Sequence, residues 1–385
     1  MLGYLLARAG IDVVVLEKWP DFFRDFRGDT IHPSTMRILR ELGLLEDFLA
    51  LAHNEMTKMT LHFDAEEITV ADLSHLNAKE KFVAFIPQWD FLNFISSKAK
   101  AFPNFHLEME TEATDLISEA GRVVGIRAKN KNGEFEIRAG LVIGADGRHS
   151  TIREKGNFKI EELSVPIDVL WFRIARGGID DKQSLGYMAP GRALVMLDRT
   201  TYWQCAFVIE KGELETIKAK GLEEFRNFVA TLAHMPVSAI GEIDSWDKVK
   251  LLSVAVDHAK EWAKEGVLLV GDSAHAMSPL GGVGINYAIQ DAVAAGNILV
   301  PAFRHNDLSL ATLQLIQKRR TKPTLRMQRI QVFMQDRVIS PLLKEKVKLK
   351  VPFALHLFKW FPVLRRIPAR IIGMGFQPEH VEIEF

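Results

Sequence analysis

The chain has 385 residues, 48% of them hydrophobic and 25% charged, enough apolar material for one large or two smaller cores. Its 49 basic and 49 acidic residues cancel, and no long basic run precedes residue 340, so there is no electrostatic footprint for nucleic acid. The single cysteine, Cys205, excludes an intrachain disulfide framework and any multi-cysteine metal site, and with no uncharged apolar run long enough to span a bilayer and no signal-peptide pattern over Met1 to Gly10, a cytoplasmic protein is expected.

In chain order, Leu2, Leu5, Leu6 and Ala9 keep helical spacing, Gly10 has the character of a C-terminal cap, and Ile11 to Leu16 form a β-branched apolar run ending at Glu17. Helix, turn, strand and acid form the second half of a dinucleotide-binding βαβ unit, whose acidic residue accepts hydrogen bonds from a ribose. Pro33 and Ser34 then open an amphipathic helix. Residues 57 to 86 alternate apolar and polar, which predicts a hairpin of a partly exposed sheet that takes in KFVAFIP. QWDFLNFISSKAKAF is helical. Strands follow in FHLEMETEATDLISEAGRVVGIRAKN and FEIRAGLVIGAD, with Asn132-Gly133 as a hairpin turn. Between about 160 and 256 the chain is strand-rich, with one helix around Gly221 to Leu232. These segments predict a second sheet built from two separated insertions. After it come strand, glycine turn and helix again, and then a helical, increasingly basic end.

Two constellations carry chemistry. In LVIGADGRHSTIR a buried strand runs into Gly144, Asp146 and Gly147, followed by Ser150 and Arg153 at the start of a helix. Glycines let the backbone approach a phosphate or ribose, and Arg153 is placed to hold an anion or to fix the loop. A purely structural turn, with Asp146 capping the helix, is the alternative. In VLLVGDSAHAMSPLGGVGIN a buried strand ends at Gly271, Asp272 sits at its tip, and Pro279, Gly282, Gly284 and Asn286 form a glycine-rich loop opening a helix. A carboxylate there accepts hydrogen bonds from a sugar or ribitol, and the loop N–H groups favour negative charge on a bound ring. The rivals are a plain tight turn and a GDS-type hydrolase block with Ser273 as nucleophile and His275 or His380 as base. The glycine loop has no place in that hydrolase.

Glu17 after helix and strand, Arg27-Gly28 with Pro33 beyond, Gln88 in IPQWDFLNFI, GADGRHSTIR and GDSAHAMSPLGGVGIN stand in an order that resembles the para-hydroxybenzoate hydroxylase family. These are single-component FAD-dependent aromatic monooxygenases, including tetracycline-inactivating members, and the likeness runs over roughly residues 1 to 335. The resemblance implies an α/β fold with α+β insertions. A discontinuous Rossmann-like FAD-binding domain would take 1–56, 87–158 and 257–335, a mostly antiparallel β-sheet substrate domain 57–86 and 159–256, and a helical segment 336–385. It also implies that Glu17, with Lys18 beside it, meets the adenosine ribose and that Arg27 lies near the pyrophosphate or ribose. Gln88 would touch FAD, and Asp146, Gly147 and Arg148 would belong to a loop serving FAD and NAD(P)H. Asp272 would hold the ribitol, and Pro279, Gly282, Gly284, Ile285 and Asn286 would meet the isoalloxazine edge.

The implied reaction uses NADH or NADPH and O2 to hydroxylate an aromatic or polycyclic small molecule through a flavin C4a-hydroperoxide, with no catalytic side chain. The family's GxGxxG is expected to end about two residues ahead of Met1, given that Glu17 follows such glycines by ~20 residues. GGVGIN replaces the commoner glycine–glutamine–glycine wording. Two further readings stay open: an FAD-dependent reductase or dehydrogenase of a lipid-like substrate, and an FAD-deficient relative acting only as a binding protein. A halogenase is disfavoured by the lack of a WxWxIP-type stretch.

Trp171, Tyr187 and Trp203 are candidates for lining a substrate pocket, with burial in the core as the alternative. His32, His53, His62, His75 and His106 are scattered without ligand spacing, so no metal is expected. From 341 to 375 eight Lys or Arg face one Glu, with Lys344, Lys346, Lys348 and Lys350 alternating before a Phe, Leu and Trp stretch. A weak peripheral contact with an anionic membrane is one reading of that segment, and a helical cap over the substrate domain is the other. A monomer or homodimer is expected.

Overall fold

The computed structural model describes residues 1–23, 30–63, 66–176, 185–199, 201–344 and 351–385, so Arg27, Gly28, Lys346, Lys348 and Lys350 lie outside the described residues. The helix expected at the start spans Leu2–Arg8, and Gly10 turns the chain with a φ of +83°. Its neighbouring leucines point to two different cores. Leu5 packs with Ile31, Met36 and Phe91, whereas Leu6 packs with Val142, Val267 and Leu299. A methyl group on Gly3 would lie 3.0 Å from Phe105 and 3.1 Å from Val15, so the helix sits close on the strands below it.

Those strands form parallel pairs, as a nucleotide-binding α/β layer requires. Val13–Leu16 pairs with Phe105–Glu108, and Val142–Gly144 pairs with Val267–Leu269. Among the described residues no strand joins the two pairs, and Val14 is 48% exposed although it belongs to a β-branched run suited to a buried strand. The helices Leu2–Arg8 and Gly284–Arg304 pack on one another, with Leu5 against Gly296, and tie the layer together.

The second sheet has seven strands, in the order Lys250–Ser253, Ile167–Ala175, Tyr202–Glu210, Arg192–Asp198, Leu185–Ala189, Lys58–Phe63 and Glu66–Asp72. The two insertions meet in one parallel contact, Leu185–Ala189 on Lys58–Phe63, while all other pairings are antiparallel. Leu170, Phe172, Trp203, Cys205 and Phe207 face the helix Leu222–Leu232. Val169, Trp171, Ala206 and Val208 face Val332, Ile339 and Leu343.

Two expectations need correction. KFVAFIP does not extend the 57–86 hairpin: Val83–Phe85 pairs with Thr30–Ile31 and Asn54–Met56. All three of its residues are buried, so it has no solvent face and its short alternation misled. The C-terminal segment is helical at Ser340–Lys344, Phe353–Trp360 and Arg366–Met374, but from Gly375 onward it is a strap without regular secondary structure. Glu41 accepts from the Val381 N–H at 2.8 Å, and Asn297 donates to the His380 carbonyl at 2.8 Å, which seals the strap to the first domain.

Candidate functional site

The two strand tips that the sequence singled out are neighbours. The Val270 N–H donates to the Gly144 carbonyl at 3.0 Å, continuing the parallel ladder one residue past the strands. The Ser273 hydroxyl, wholly buried, lies 2.5 Å from the Gly144 carbonyl oxygen and 2.8 Å from that of Val270, so it pins one tip to the other. This removes the hydrolase reading. The Ser273 oxygen is spent on backbone, His275 is turned to Asp291 at 2.5 Å, and His380 pairs with Glu41 at 2.6 Å.

The first tip has the capping geometry. The Asp146 carboxylate accepts from the Ser150 hydroxyl and from the Ile152 N–H at 3.1 Å, and Ser150 in turn accepts from the Arg153 N–H at 2.9 Å. Arg153 fixes the loop, donating toward Asp257 at 3.3 Å, the Ser273 carbonyl at 3.4 Å and the Arg148 carbonyl. Arg148 reaches the Ser253 carbonyl at 3.2 Å, and Gly147 takes a φ of +84°. The outer edge of Asp146 and the half-buried Gly147 and Arg148 remain at the surface of this turn.

The glycine loop is built by long-range hydrogen bonds. Asn286 is 2% exposed and uses its whole amide inside the protein. Its oxygen accepts from the His32 N–H at 2.9 Å and the Thr35 hydroxyl at 2.7 Å, and its nitrogen donates to the Thr30 carbonyl at 2.9 Å and that of Gly282 at 3.3 Å. Thr30 also donates to the Gly282 carbonyl at 2.7 Å. The Asn286 side chain therefore holds the loop in place. Gly282 has a φ of +62°, and a Cβ there would sit 2.4 Å from the Thr30 hydroxyl. At Gly284 the opposite holds: an added Cβ would meet nothing within 4 Å. Open space thus lies in front of the N-terminus of a 21-residue helix whose first turn has no acidic residue. Asp272, Pro279, Gly282, Gly284 and Ile285 are all half-buried.

Glu17 ends the other parallel pair, its N–H donating to the Glu108 carbonyl at 2.9 Å and its carboxylate accepting from the Trp19 N–H at 3.1 Å. Lys18 stands at an exposed edge, 3.9 Å from Glu112. Gln88 opens the helix Gln88–Ala99. Thr30, bonded to Gly282 and Asn286, is what joins the segment after Glu17 to the glycine loop. Trp203 is wholly buried with its indole N–H on the Arg176 carbonyl at 3.3 Å, and Tyr187 stacks on His62 with ring centres 5.1 Å apart. Both belong to the helix-covered core, whereas Trp171 is half-buried on the opposite face of the sheet.

Sequence reasoning missed a buried charge network behind the site. Asp291 accepts from the Gly271 N–H at 3.1 Å, from His275 and from Arg320 Nε at 2.8 Å, with Asp291 and Arg320 both fully buried. Burial by itself would raise the Asp291 carboxyl, but the His275 ring and the Arg320 guanidinium outweigh it and hold the carboxyl below the usual range. Arg320 also reaches Glu379 at 3.3 Å, and Arg319 holds Glu379 and Glu382. The available signal was one acid in the buried run AIQDAVAAG. His32 was likewise missed as a structural residue: it is buried, bonds the Ile372 carbonyl through Nδ1 at 2.7 Å, and burial pushes it down to about 4 despite that bond.

Two adjacent glycine–acid turns, a clamped glycine loop and an open helix N-terminus fit a dinucleotide with a negatively charged ring edge. A family model described as an FAD binding domain matches residues 1–313. The 6-methylpretetramide 4-monooxygenase of Streptomyces rimosus is 28% identical over 375 residues, covering 96% of this chain and 88% of that protein. The para-nitrophenol 4-monooxygenase of Pseudomonas sp. (strain WBC-3) is 23% identical over 314 residues, covering 80% and 76%. Among solved structures, a p-nitrophenol 4-monooxygenase from Pseudomonas putida DLL-E4 has the same fold, with a TM-score of 0.77 at 18% identity over 98% of this chain and 95% of the other. The chain belongs to the FAD binding domain family and is an FAD-dependent monooxygenase of the para-hydroxybenzoate hydroxylase type.

Proposed function

We propose that the chain hydroxylates an aromatic or polycyclic small molecule with O2, taking electrons from NADH or NADPH. The observation that carries this reading is the open space at Gly284, together with the pairing of the two strand tips that precede Asp146 and Asp272. The substrate class is supported by the relatives named for 6-methylpretetramide and para-nitrophenol.

FAD, when bound, accepts the electrons and activates oxygen. The rest is positioning by this chain. Asp272 is placed to accept hydroxyl hydrogen bonds from the ribitol, and Glu17 and Lys18 lie at the adenosine end, with Gln88 between. Asp146, Gly147 and Arg148 form the turn shared with the nicotinamide donor. The N–H groups of Gly282, Gly284 and Ile285, after Pro279, favour negative charge on the ring, as does the positive end of the helix behind them. The seven-stranded sheet covers the substrate, with Trp171 on the face away from the Leu222–Leu232 helix, and excludes water from the reacting atoms.

Anaerobic mixing of flavin-loaded protein with NADH or NADPH is expected to bleach the flavin absorbance. No bleaching with either donor overturns the electron-donor assignment. Turnover under isotopic oxygen then separates hydroxylation from a reductase reaction, because only a monooxygenase leaves label in the product.

A further inference from the structure

Residues 351–375 combine basic side chains with exposed apolar ones. They contain Lys359, Arg365, Arg366 and Arg370 and no Asp or Glu, within a protein whose charges cancel at 49 and 49. Five large apolar side chains of the same stretch stand in solvent: Phe353 is 72% exposed, Trp360 56%, Phe361 56%, Val363 58% and Ile367 59%. They are not scattered. Phe353 and Trp360, two turns apart on one helix, touch edge to face with ring centres 5.6 Å apart. Arg366 and Arg370 are exposed one turn apart on the next helix, with Ile367 beside them.

The inner side of this stretch is already satisfied. Leu355 packs with Phe63 and Ile68, Lys359 donates to Glu66 at 2.9 Å, and Ala369 is buried with Leu73, Val83 and Phe85. The outward aromatics touch one another within the segment but stay largely in solvent, and that exposure in water is unfavourable. Aromatic and aliphatic groups standing among unopposed arginines match one environment, the boundary between acyl chains and anionic headgroups. We propose that residues 353–370 dock the chain onto the surface of an anionic lipid bilayer. No helix among the described residues is long and apolar enough to cross a membrane, so the contact is peripheral. A second copy of the chain fits the face less well, because a two-fold contact sets Arg366 and Arg370 against their own equivalents with no acid between them.

The docking surface is tied to the flank of the glycine loop. The Ile372 carbonyl accepts from His32, and Ile372 lies 3.9 Å from where a Cβ on Gly281 would stand. Docking itself is independent of flavin chemistry, and its test requires no turnover.

The experiment is co-sedimentation of the full chain with vesicles of phosphatidylcholine alone and of phosphatidylcholine mixed with phosphatidylglycerol, at low and at raised salt. The expected result is pelleting with the mixed vesicles only, and release as salt screens the arginines. Trp360→Glu with Phe361→Glu, and separately Arg366→Glu with Arg370→Glu, are expected to lower the partition coefficient roughly tenfold or more, with circular dichroism unchanged. Failure of the unaltered chain to pellet with mixed vesicles at low salt overturns the proposal, and that arm needs no variant to fold. Equal binding to neutral vesicles, unchanged binding of both variants, or a concentration-dependent dimer abolished by Trp360→Glu without any vesicle binding also overturns it.

Discussion

Arg320 donates to Asp291 at 2.8 Å in a place where neither side chain reaches solvent, and Asp291 in turn receives the N–H of Gly271, the residue before Asp272 at the strand tip. A buried ion pair is weak evidence of net stabilisation, but removing one partner strands the other charge. Arg320→Ala is therefore expected to lower the unfolding free energy by about 3–5 kcal/mol, read by urea denaturation. Arg320→Met with Asp291→Asn in the same chain is expected to recover much of that loss. Recovery would be absent if the pair acted only through packing.

Gly282 and Gly284 separate the demands of the loop from those of its ligand. Gly282→Ala forces a methyl into the Thr30 hydroxyl at a φ of +62°, so about 1–3 kcal/mol of stability is expected to be lost with flavin content. Gly284→Val meets no protein atom near its Cβ and is expected to keep the thermal midpoint within a few degrees while FAD retention falls. Parallel melting curves and flavin quantification check both. Full FAD retention in Gly284→Val would place the ring elsewhere.

The pH dependence of stability has a signature at His32. Its imidazole titrates near 6.5 when unfolded and at about 4 in the fold, because burial opposes its charge more than the Ile372 bond favours it. Between those values the folded chain binds fewer protons than the unfolded one. The stability tied to His32 is thus complete above pH 6.5 and is lost as pH falls toward 4, at ~1.4 kcal/mol per pH unit. His32→Asn, which keeps a donor for the Ile372 carbonyl, is expected to flatten the unfolding free energy over that window.

The tryptophans on the two sheet faces are expected to behave differently. Trp203→Ala empties a fully buried site and should cost about 3–5 kcal/mol in denaturant unfolding. Trp171→Ala, at a half-buried position on the opposite face, should raise KM for substrate more than it lowers stability. A large stability loss with unchanged KM would assign Trp171 to packing.

The sequence alone determined the local units. A β-branched run, a glycine and an acid define a strand tip wherever they stand, and leucines at helical spacing before Gly10 define the first helix, because these signals act within a few residues. The cofactor class came from the family that GADGRHSTIR and GDSAHAMSPLGGVGIN, taken in order, resemble. Only the tertiary structure decided what each polar group is for. The Asn286 side-chain amide is taken up by Thr30, His32, Thr35 and Gly282. The Ser273 hydroxyl fastens Gly144, while Asp291 answers Arg320 from another helix. The strand-rich stretch between about 160 and 256 announced a sheet but not which neighbour covers each face, so Trp171 and Trp203 read alike until they fell on opposite sides. Val83–Phe85 was read with its sequence neighbours and paired instead with Thr30–Ile31 and Asn54–Met56. Such pairings join segments far apart in the chain, and a partner chosen by packing leaves no periodic trace in either segment.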